Sequence, residues 1–194
     1  MVVRLTLICH APTAAVRAAA FPADEPLDER GEAAAAGLGA AVTFPAVECW
    51  SAPELRARQT AAALGLTATI DARLRDGDYG RWRGSALAAV QAREPDAIRQ
   101  WLADPATAPH GGESVLDLLA RVGGWLDQLR RPSAQRGTAR LIAVTHPAVV
   151  KAAIVTALAA PPAAFWRIDA PPLSRVHLVG HAGRWNLRLA ETDG

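Results

Sequence analysis

The stretch VVRLTLICH at positions 2–10 decides the fold of this chain. Val2–Cys9 is apolar or β-branched at every position except Arg4, and such a run predicts a strand buried in the core of a sheet. A second run of the same kind, LIAVT, spans 141–145. Because strands with apolar residues on both faces are typical of parallel sheets covered by helices, the two runs predict the centre of an α/β fold.

Alanine-rich segments with helical spacing alternate with the predicted strands. The clearest is 114–129, where apolar residues recur at three- and four-residue steps and Ser114 precedes Asp117 as in a capping box. We predict further helices at 28–41, 54–64 and 148–158, a strand at 47–51, and a C-terminal hairpin of 174–179 with 185–189. This alternation predicts an α/β three-layer sandwich with a mainly parallel central sheet, helices on both faces, the hairpin and a small helical cap.

Length and composition are those of one folded unit. The 194 residues, 51% of them hydrophobic, exclude a disordered chain and predict a single domain over 1–194. Glycine and proline concentrate in the segment 77–112, which we expect to form a cap-like excursion beside the sheet. A formal net charge of +2 gives no reason to expect nucleic acid as a partner.

Two features of the sequence bear on cellular location. It has no run of about 18 apolar residues that would predict a membrane span, and its N-terminal segment has the pattern of a strand rather than a signal peptide. The two cysteines, Cys9 and Cys49, have neither metal-ligand spacing nor the spacing of a disulfide framework, so we expect both to be reduced. These patterns predict a cytoplasmic protein without membrane contact and leave the oligomeric state open.

The side chains that carry chemistry lie where predicted strands end. His10 and His146 each follow one of the two apolar strands directly, and ligands bind beyond the carboxyl ends of the strands in a parallel sheet. Arg56 follows a third strand, and Asp76 and Asp78 stand among glycines. Such a set suits phosphoryl transfer: one imidazole attacks phosphorus, cations hold the oxygens, and the acid protonates the leaving oxygen. Metal-ligand spacings and a Walker-type loop are absent, so we expect no metal and no cofactor.

The sequence resembles the histidine phosphatase superfamily, also called the phosphoglycerate mutase-like family, and in particular its small α-ribazole phosphatase-like branch. Six segments carry the resemblance, in the family's order and over almost the whole chain: LTLICHAPT at 5–13, PLDERG at 26–31, SAPELRARQT at 51–60, 74–84, GES at 112–114 and VTH at 144–146. The resemblance implies a metal-independent phosphomonoesterase that acts on a small phosphorylated metabolite through a phosphohistidine.

The same resemblance implies roles for individual residues. His10 matches the nucleophile that becomes phosphohistidine, and His146 matches the second histidine of the pocket. Arg56 matches a phosphate-binding arginine, and Thr13 matches a hydroxyl position near the phosphate.

The general acid has two candidates. Asp76 matches the family's acid, although most relatives have glutamate there, and Asp78 is the alternative. Glu113 matches a recurring family position, which we interpret as support for the helix that begins at Ser114.

Two departures from the family pattern affect the expected activity. The family has Arg-His-Gly where this chain has Cys9, His10 and Ala11, and the loss of one preorganised oxyanion donor typically costs ~10²–10³ in rate. Pro147 stands where the family commonly has glycine and removes a backbone N–H. One hypothesis is that Arg17 supplies the missing phosphate contact. The alternative is a catalytically weakened member that binds a phosphorylated ligand or a protein partner without significant turnover.

Overall fold

Six strands form one sheet in the computed structural model, which describes residues 2–43, 48–130 and 138–189. The strands are β1 Val2–Cys9, β2 Glu48–Ser51, β3 Thr69–Ile70, β4 Thr138–Thr145, β5 Arg175–His181 and β6 Arg184–Arg188. Their order is β3-β2-β4-β1-β5-β6. The first four run parallel, whereas β5 is antiparallel to both β1 and β6. The prediction of a mainly parallel sheet with a C-terminal hairpin is confirmed.

The two apolar runs form the centre of this sheet. β1 and β4 pair in parallel along their whole length, from Val2 with Thr138 to Cys9 with Thr145. Each strand contributes consecutive or alternate side chains to the main hydrophobic core: Val3, Leu5, Leu7, Ile8 and Cys9 from β1, and Leu141, Ile142, Ala143 and Val144 from β4. Because the two strands end level with each other, the residues that follow them leave the sheet side by side.

Helices surround the sheet. They are α1 Ala14–Arg17, α2 Glu29–Ala41, α3 Leu55–Ala63, α4 Leu87–Arg93, α5 Pro95–Ala103, α6 Val115–Arg130 and α7 Pro147–Ala157, with 3₁₀ turns at Ala72–Leu74, Gly80–Trp82 and Pro162–Arg167. Asp28, expected as the first helical residue, is instead the N-cap of α2, because its Oδ1 accepts the N–H of Gly31 at 2.9 Å. Residue 47 of the predicted strand 47–51 lies outside the described residues.

The helix α6 packs on the core as its spacing predicts. Val122, Trp125 and Leu126 on its apolar face are buried, and burying such side chains contributes ~1.5–3 kcal/mol each. The capping box at its start is confirmed: Asp117 N–H donates to Ser114 Oγ at 3.1 Å, and Ser114 N–H donates to Asp117 Oδ2 at 3.2 Å.

Within the segment 77–112, α4 and α5 pack on a second small hydrophobic cluster. Trp82 is fully buried there, and its ring centroid lies 5.2 Å from that of Phe21. At Gly112 the chain passes close to the backbone of Asp78. A Cβ atom at this position would lie 2.1 Å from the carbonyl oxygen of Asp78, so only glycine fits. Within the described part of the chain, no helix combines the length and apolar character needed to cross a bilayer.

Candidate active site

His10 and His146 meet at the carboxyl edge of the sheet. His10 follows β1, and His146 follows β4 as the N-cap residue of α7. Their ring centroids lie 5.2 Å apart with an angle of 62° between the planes, and both residues are buried. The structure therefore brings together two imidazoles that are 136 positions apart in the sequence.

The His10 ring is held in one tautomer. Its Nδ1 lies 2.7 Å from the carbonyl oxygen of Ala11, and because a carbonyl only accepts, Nδ1 carries the proton. This leaves a lone pair on Nε2. Burial, assisted by the charge of His146, lowers the pKa of His10 to about 4. The ring is therefore neutral at physiological pH, as a nitrogen nucleophile must be.

The backbone around His10 is fixed from three sides. The N–H of His10 donates to the carbonyl of Thr145 at 2.8 Å, and the N–H of Ala11 donates to Thr60 Oγ1 at 2.9 Å. A Cβ atom at Gly31 would lie 2.2 Å from the carbonyl oxygen of Pro12, so α2 approaches this loop as closely as it does only because glycine stands there.

Arg56 supplies a buried guanidinium to the same site. It is the second residue of α3 and is 1% exposed. Its Nη2 donates to Asp76 Oδ2 at 2.7 Å, and its Nη1 donates to the carbonyl of Ala23 at 2.7 Å. The cation expected to bind phosphate is therefore present, and it is already paired with a carboxylate.

Of the two candidate acids, the structure brings Asp76 to the histidines. Asp76 Oδ2 lies 3.5 Å from His146 Nδ1 in addition to its contact with Arg56, and the residue is 8% exposed. Asp78 is exposed, and its Oδ1 accepts the N–H of Gly80 at 2.9 Å. The geometry thus favours Asp76 for a role in the site.

Arg121 positions the loop that carries Asp76, and sequence reasoning missed it. Its guanidinium donates to the carbonyls of Arg73, Arg75 and Asp76 at 2.7, 3.0 and 3.2 Å. Glu113 binds the same guanidinium at 2.8 and 2.7 Å, so its contact is with Arg121 rather than with the backbone at the start of α6. One arginine on the polar face of an amphipathic helix carries no signal in the sequence that would reveal this role.

Glu54 is a second residue that sequence reasoning missed. Its Oε2 lies 2.7 Å from His146 Nε2, and its Oε1 accepts the N–H of Asp76 at 3.1 Å. Burial alone would raise the pKa of this carboxyl, but the hydrogen bond and the charge of His146, together with backbone donors, lower it to about 2. The signal that could have revealed Glu54 is its position directly before α3, two residues from Arg56.

The two remaining predicted contacts have other partners. Thr13 is buried and caps α1: its Oγ1 accepts the N–H of Val16 at 3.3 Å and donates to Glu25 Oε1 at 3.1 Å. The guanidinium of Arg17 forms an ion pair with Asp28, the N-cap of α2, and the Arg17 side chain is 42% exposed. The structure does not bring Arg17 to the two histidines.

An Arg17→Ala variant tests this position directly. We expect its affinity for vanadate, a phosphate analogue, to stay within about twofold of wild type, because Arg17 is paired with Asp28 and not with the two histidines. The exposed ion pair itself contributes little to the free energy of unfolding. Isothermal titration with vanadate measures it. A loss of tenfold or more would show that Arg17 leaves Asp28 when an anion binds.

Cys9, the residue before His10, lies in the main hydrophobic core. The residue is fully buried, with its Sγ 3.8 Å from the carbonyl oxygen of Ala170, and burial raises the pKa of the thiol. A neutral thiol cannot replace a guanidinium as an oxyanion partner. Pro147 is the first residue of α7, a position that tolerates proline. Among the described residues, no three His, Cys, Asp or Glu side chains form a group suited to a metal ion.

Sequence comparison identifies relatives of this chain. The sequence profile of the histidine phosphatase superfamily (branch 1) matches residues 5–193. A glucosyl-3-phosphoglycerate phosphatase of Mycobacterium tuberculosis is 35% identical over 120 residues, which are 57% of this chain and 53% of that protein. A bifunctional protein of the same species is 34% identical over 93 residues, 48% of this chain and 24% of that protein. The chain thus spans about half, or less, of the length of these relatives.

Solved structures share the fold. A mycobacterial glucosyl-3-phosphoglycerate phosphatase in complex with VO3 superimposes with a TM-score of 0.84 at 28% identity, covering 96% of this chain and 97% of that one. A putative α-ribazole-5'-P phosphatase from Escherichia coli has the same fold, with a TM-score of 0.82 at 22% identity over 98% of this chain and 96% of that one. Because the family profile extends over nearly the whole sequence, this chain belongs to the histidine phosphatase superfamily, branch 1.

Proposed function

We propose that this protein is a metal-independent phosphomonoesterase that acts on a small phosphorylated metabolite through a phosphohistidine at His10. The observation that carries the proposal is the neutral imidazole of His10, with its Nδ1 bound to a carbonyl and a second imidazole 5.2 Å away. Relatives named for the hydrolysis of glucosyl-3-phosphoglycerate and phosphoserine support this substrate class.

The proposed reaction has two steps. In the first, the Nε2 lone pair of His10 attacks phosphorus, the ester P–O bond breaks, and Asp76 gives its proton to the leaving oxygen. In the second, water attacks phosphorus and gives a proton to the Asp76 carboxylate, the P–N bond breaks with its electron pair returning to His10 Nε2, and inorganic phosphate leaves. Arg56 and His146 donate to the non-bridging oxygens throughout.

The contact between Asp76 and Arg56 links the proposed acid to the proposed phosphate-binding cation. In the substrate-free protein Asp76 Oδ2 accepts from Arg56 Nη2 at 2.7 Å. In the proposed reaction a bound phosphoryl group competes with Asp76 for the same guanidinium.

The low pKa of His10 predicts the acid side of the pH profile. Because His10 must be neutral to attack, kcat/KM should fall as the pH decreases through about 4 and should be insensitive to this group above it. Initial rates with p-nitrophenyl phosphate between about pH 3 and 8 measure this limb. A midpoint near the ordinary histidine value of ~6.5 would contradict the proposed environment of His10.

A binding protein with little turnover is the second candidate. It is favoured by the buried thiol of Cys9 and by the carboxylate that already occupies Arg56. A panel of phosphate esters, assayed beside thermal unfolding with vanadate, separates the two. Turnover above background supports the phosphatase, whereas background rates with a vanadate-induced rise in Tm support the binding protein.

A further inference from the structure

The second histidine of the site is enclosed by carboxylates. His146 is fully buried, and four charged or titratable groups face it from three elements. His10 lies at the end of β1, Glu54 precedes α3, and Asp76, with Arg56 bound to it, follows the turn Ala72–Leu74. Two carboxylates lie next to the ring itself, Glu54 on Nε2 at 2.7 Å and Asp76 near Nδ1 at 3.5 Å.

The contact with Glu54 fixes one proton. A carboxylate only accepts hydrogen bonds, so the 2.7 Å distance from Glu54 Oε2 requires that His146 Nε2 carry hydrogen. In a neutral ring Nδ1 would then hold a lone pair. That lone pair would face Asp76 Oδ2 at 3.5 Å and any phosphoryl oxygen between the histidines, and it would repel both.

His146 Nδ1 has no hydrogen-bond partner among the described residues, although it is buried. A buried polar atom of this kind is costly unless it finds a partner, and here the partner that fits is an oxygen atom of a bound anion. Donation to that oxygen needs a second proton on the ring. The imidazolium form satisfies Glu54 and the anion at once.

We propose that Glu54 is a positioning residue that keeps His146 doubly protonated, so that Nδ1–H serves as a cationic donor to a phosphoryl oxygen. This inference rests on the proposed function for its catalytic consequence. It offers a source for the positive charge that Cys9 does not supply. Glu54 also accepts the N–H of Asp76 at 3.1 Å, so the same carboxylate ties the donor on His146 to the loop that carries the acid.

The Glu54→Gln variant tests the charge while preserving the shape. Its amide oxygen can still accept from His146 Nε2, but the negative charge is gone. We expect ¹⁵N NMR of histidine-labelled, vanadate-free protein at neutral pH to report an imidazolium for His146 in the wild type and a neutral ring in the variant. The resonance is assigned by its loss in a His146→Asn variant. Vanadate affinity should fall about tenfold, because a charge-assisted donor is lost.

Glu32→Gln is the matched control, since Glu32 is an exposed carboxylate in the first turn of α2. It should leave the His146 resonances and the vanadate affinity unchanged. Glu54→Asp keeps the charge and should keep the imidazolium signal, which guards against a folding defect in the glutamine variant.

The inference is overturned if the ¹⁵N shifts of His146 are the same in Glu54→Gln and the wild type, or if the wild-type ring is neutral. Because these shifts are recorded without turnover, they are independent of the proposed reaction. A wild-type protein that hydrolyses no phosphate ester but loses its imidazolium in Glu54→Gln refutes the proposed function and supports the role of Glu54.

Discussion

Replacing His10 with alanine will remove both the phosphoenzyme and the turnover of phosphate esters. The nitrogen that attacks phosphorus in the proposed reaction is lost, and no described side chain is placed to replace it: the thiol of Cys9 is buried and neutral, and Nε2 of His146 is bound to Glu54. Loss of a nucleophile costs at least ~10³ in kcat. We therefore expect rates at the detection limit with every ester that the wild type hydrolyses.

Trapping with a ³²P-labelled ester shows whether a phosphoryl group becomes attached to His10. Denaturation of the wild type during turnover should leave label on the protein, stable to base and labile to acid as a phosphohistidine is. His181→Ala is the matched control, because His181 is an exposed histidine at the end of β5, in the hairpin. Equal labelling of His10→Ala and the wild type would refute a phosphohistidine at this position.

The framework of the fold was predictable from local signals. β1 and β4 consist of apolar runs that fit only the centre of a sheet, and the hairpin turn falls where Ala182 and Gly183 take positive φ values of 49° and 81°. The capping box of Ser114 likewise depends only on residues three positions apart. Each of these features depends on a short stretch of chain, so it could be predicted from the sequence alone.

Glu54 and Arg121, the two residues that contact His146 and the Asp76 loop, were not predictable in this way. Glu54 contacts His146 across 92 positions, and Arg121 contacts the carbonyl of Arg73 across 48. Glu54 lies within the segment 51–60 that carries the family resemblance, but nothing in that segment indicates His146 as its partner. Arg121 belongs to none of the six segments, so both contacts become visible only in the folded chain. Arg17 illustrates the opposite error: its closeness to His10 in sequence suggested a contact, but α1 directs it to Asp28.

The charged side chains at the carboxyl edge of the sheet are paired with one another. Arg56 is paired with Asp76, and His146 lies between Glu54 and Asp76, so the buried guanidinium is already in an ion pair. In the proposed reaction a phosphoryl group displaces Asp76 from Arg56. The proposal thus gives Asp76 two roles, as a competitor of the substrate and as the proton donor.

Asp76→Asn separates these two roles, because it should change catalysis and binding in opposite directions. Without a proton donor, kcat for an ester with a poor leaving group should fall by ~10²–10⁴. Vanadate should bind more tightly, since the carboxylate that competes for Arg56 is gone. With p-nitrophenyl phosphate, whose leaving group needs little protonation, the loss in kcat should be much smaller.

The same substitution should have a large effect on stability. Arg56 is 1% exposed, and removing one partner of a buried ion pair typically costs ~3–5 kcal/mol. Glu25, whose Oε2 lies 3.9 Å from Arg56 Nη1, remains in the variant and offsets part of this loss. Vanadate supplies a new anion, so it should raise Tm more in Asp76→Asn than in the wild type. Asp78→Asn is the matched control, since Asp78 is exposed and its side chain accepts the N–H of Gly80, a bond that the amide oxygen of asparagine can keep. A catalytic loss in Asp78→Asn, with Asp76→Asn active, would assign the acid to Asp78 instead.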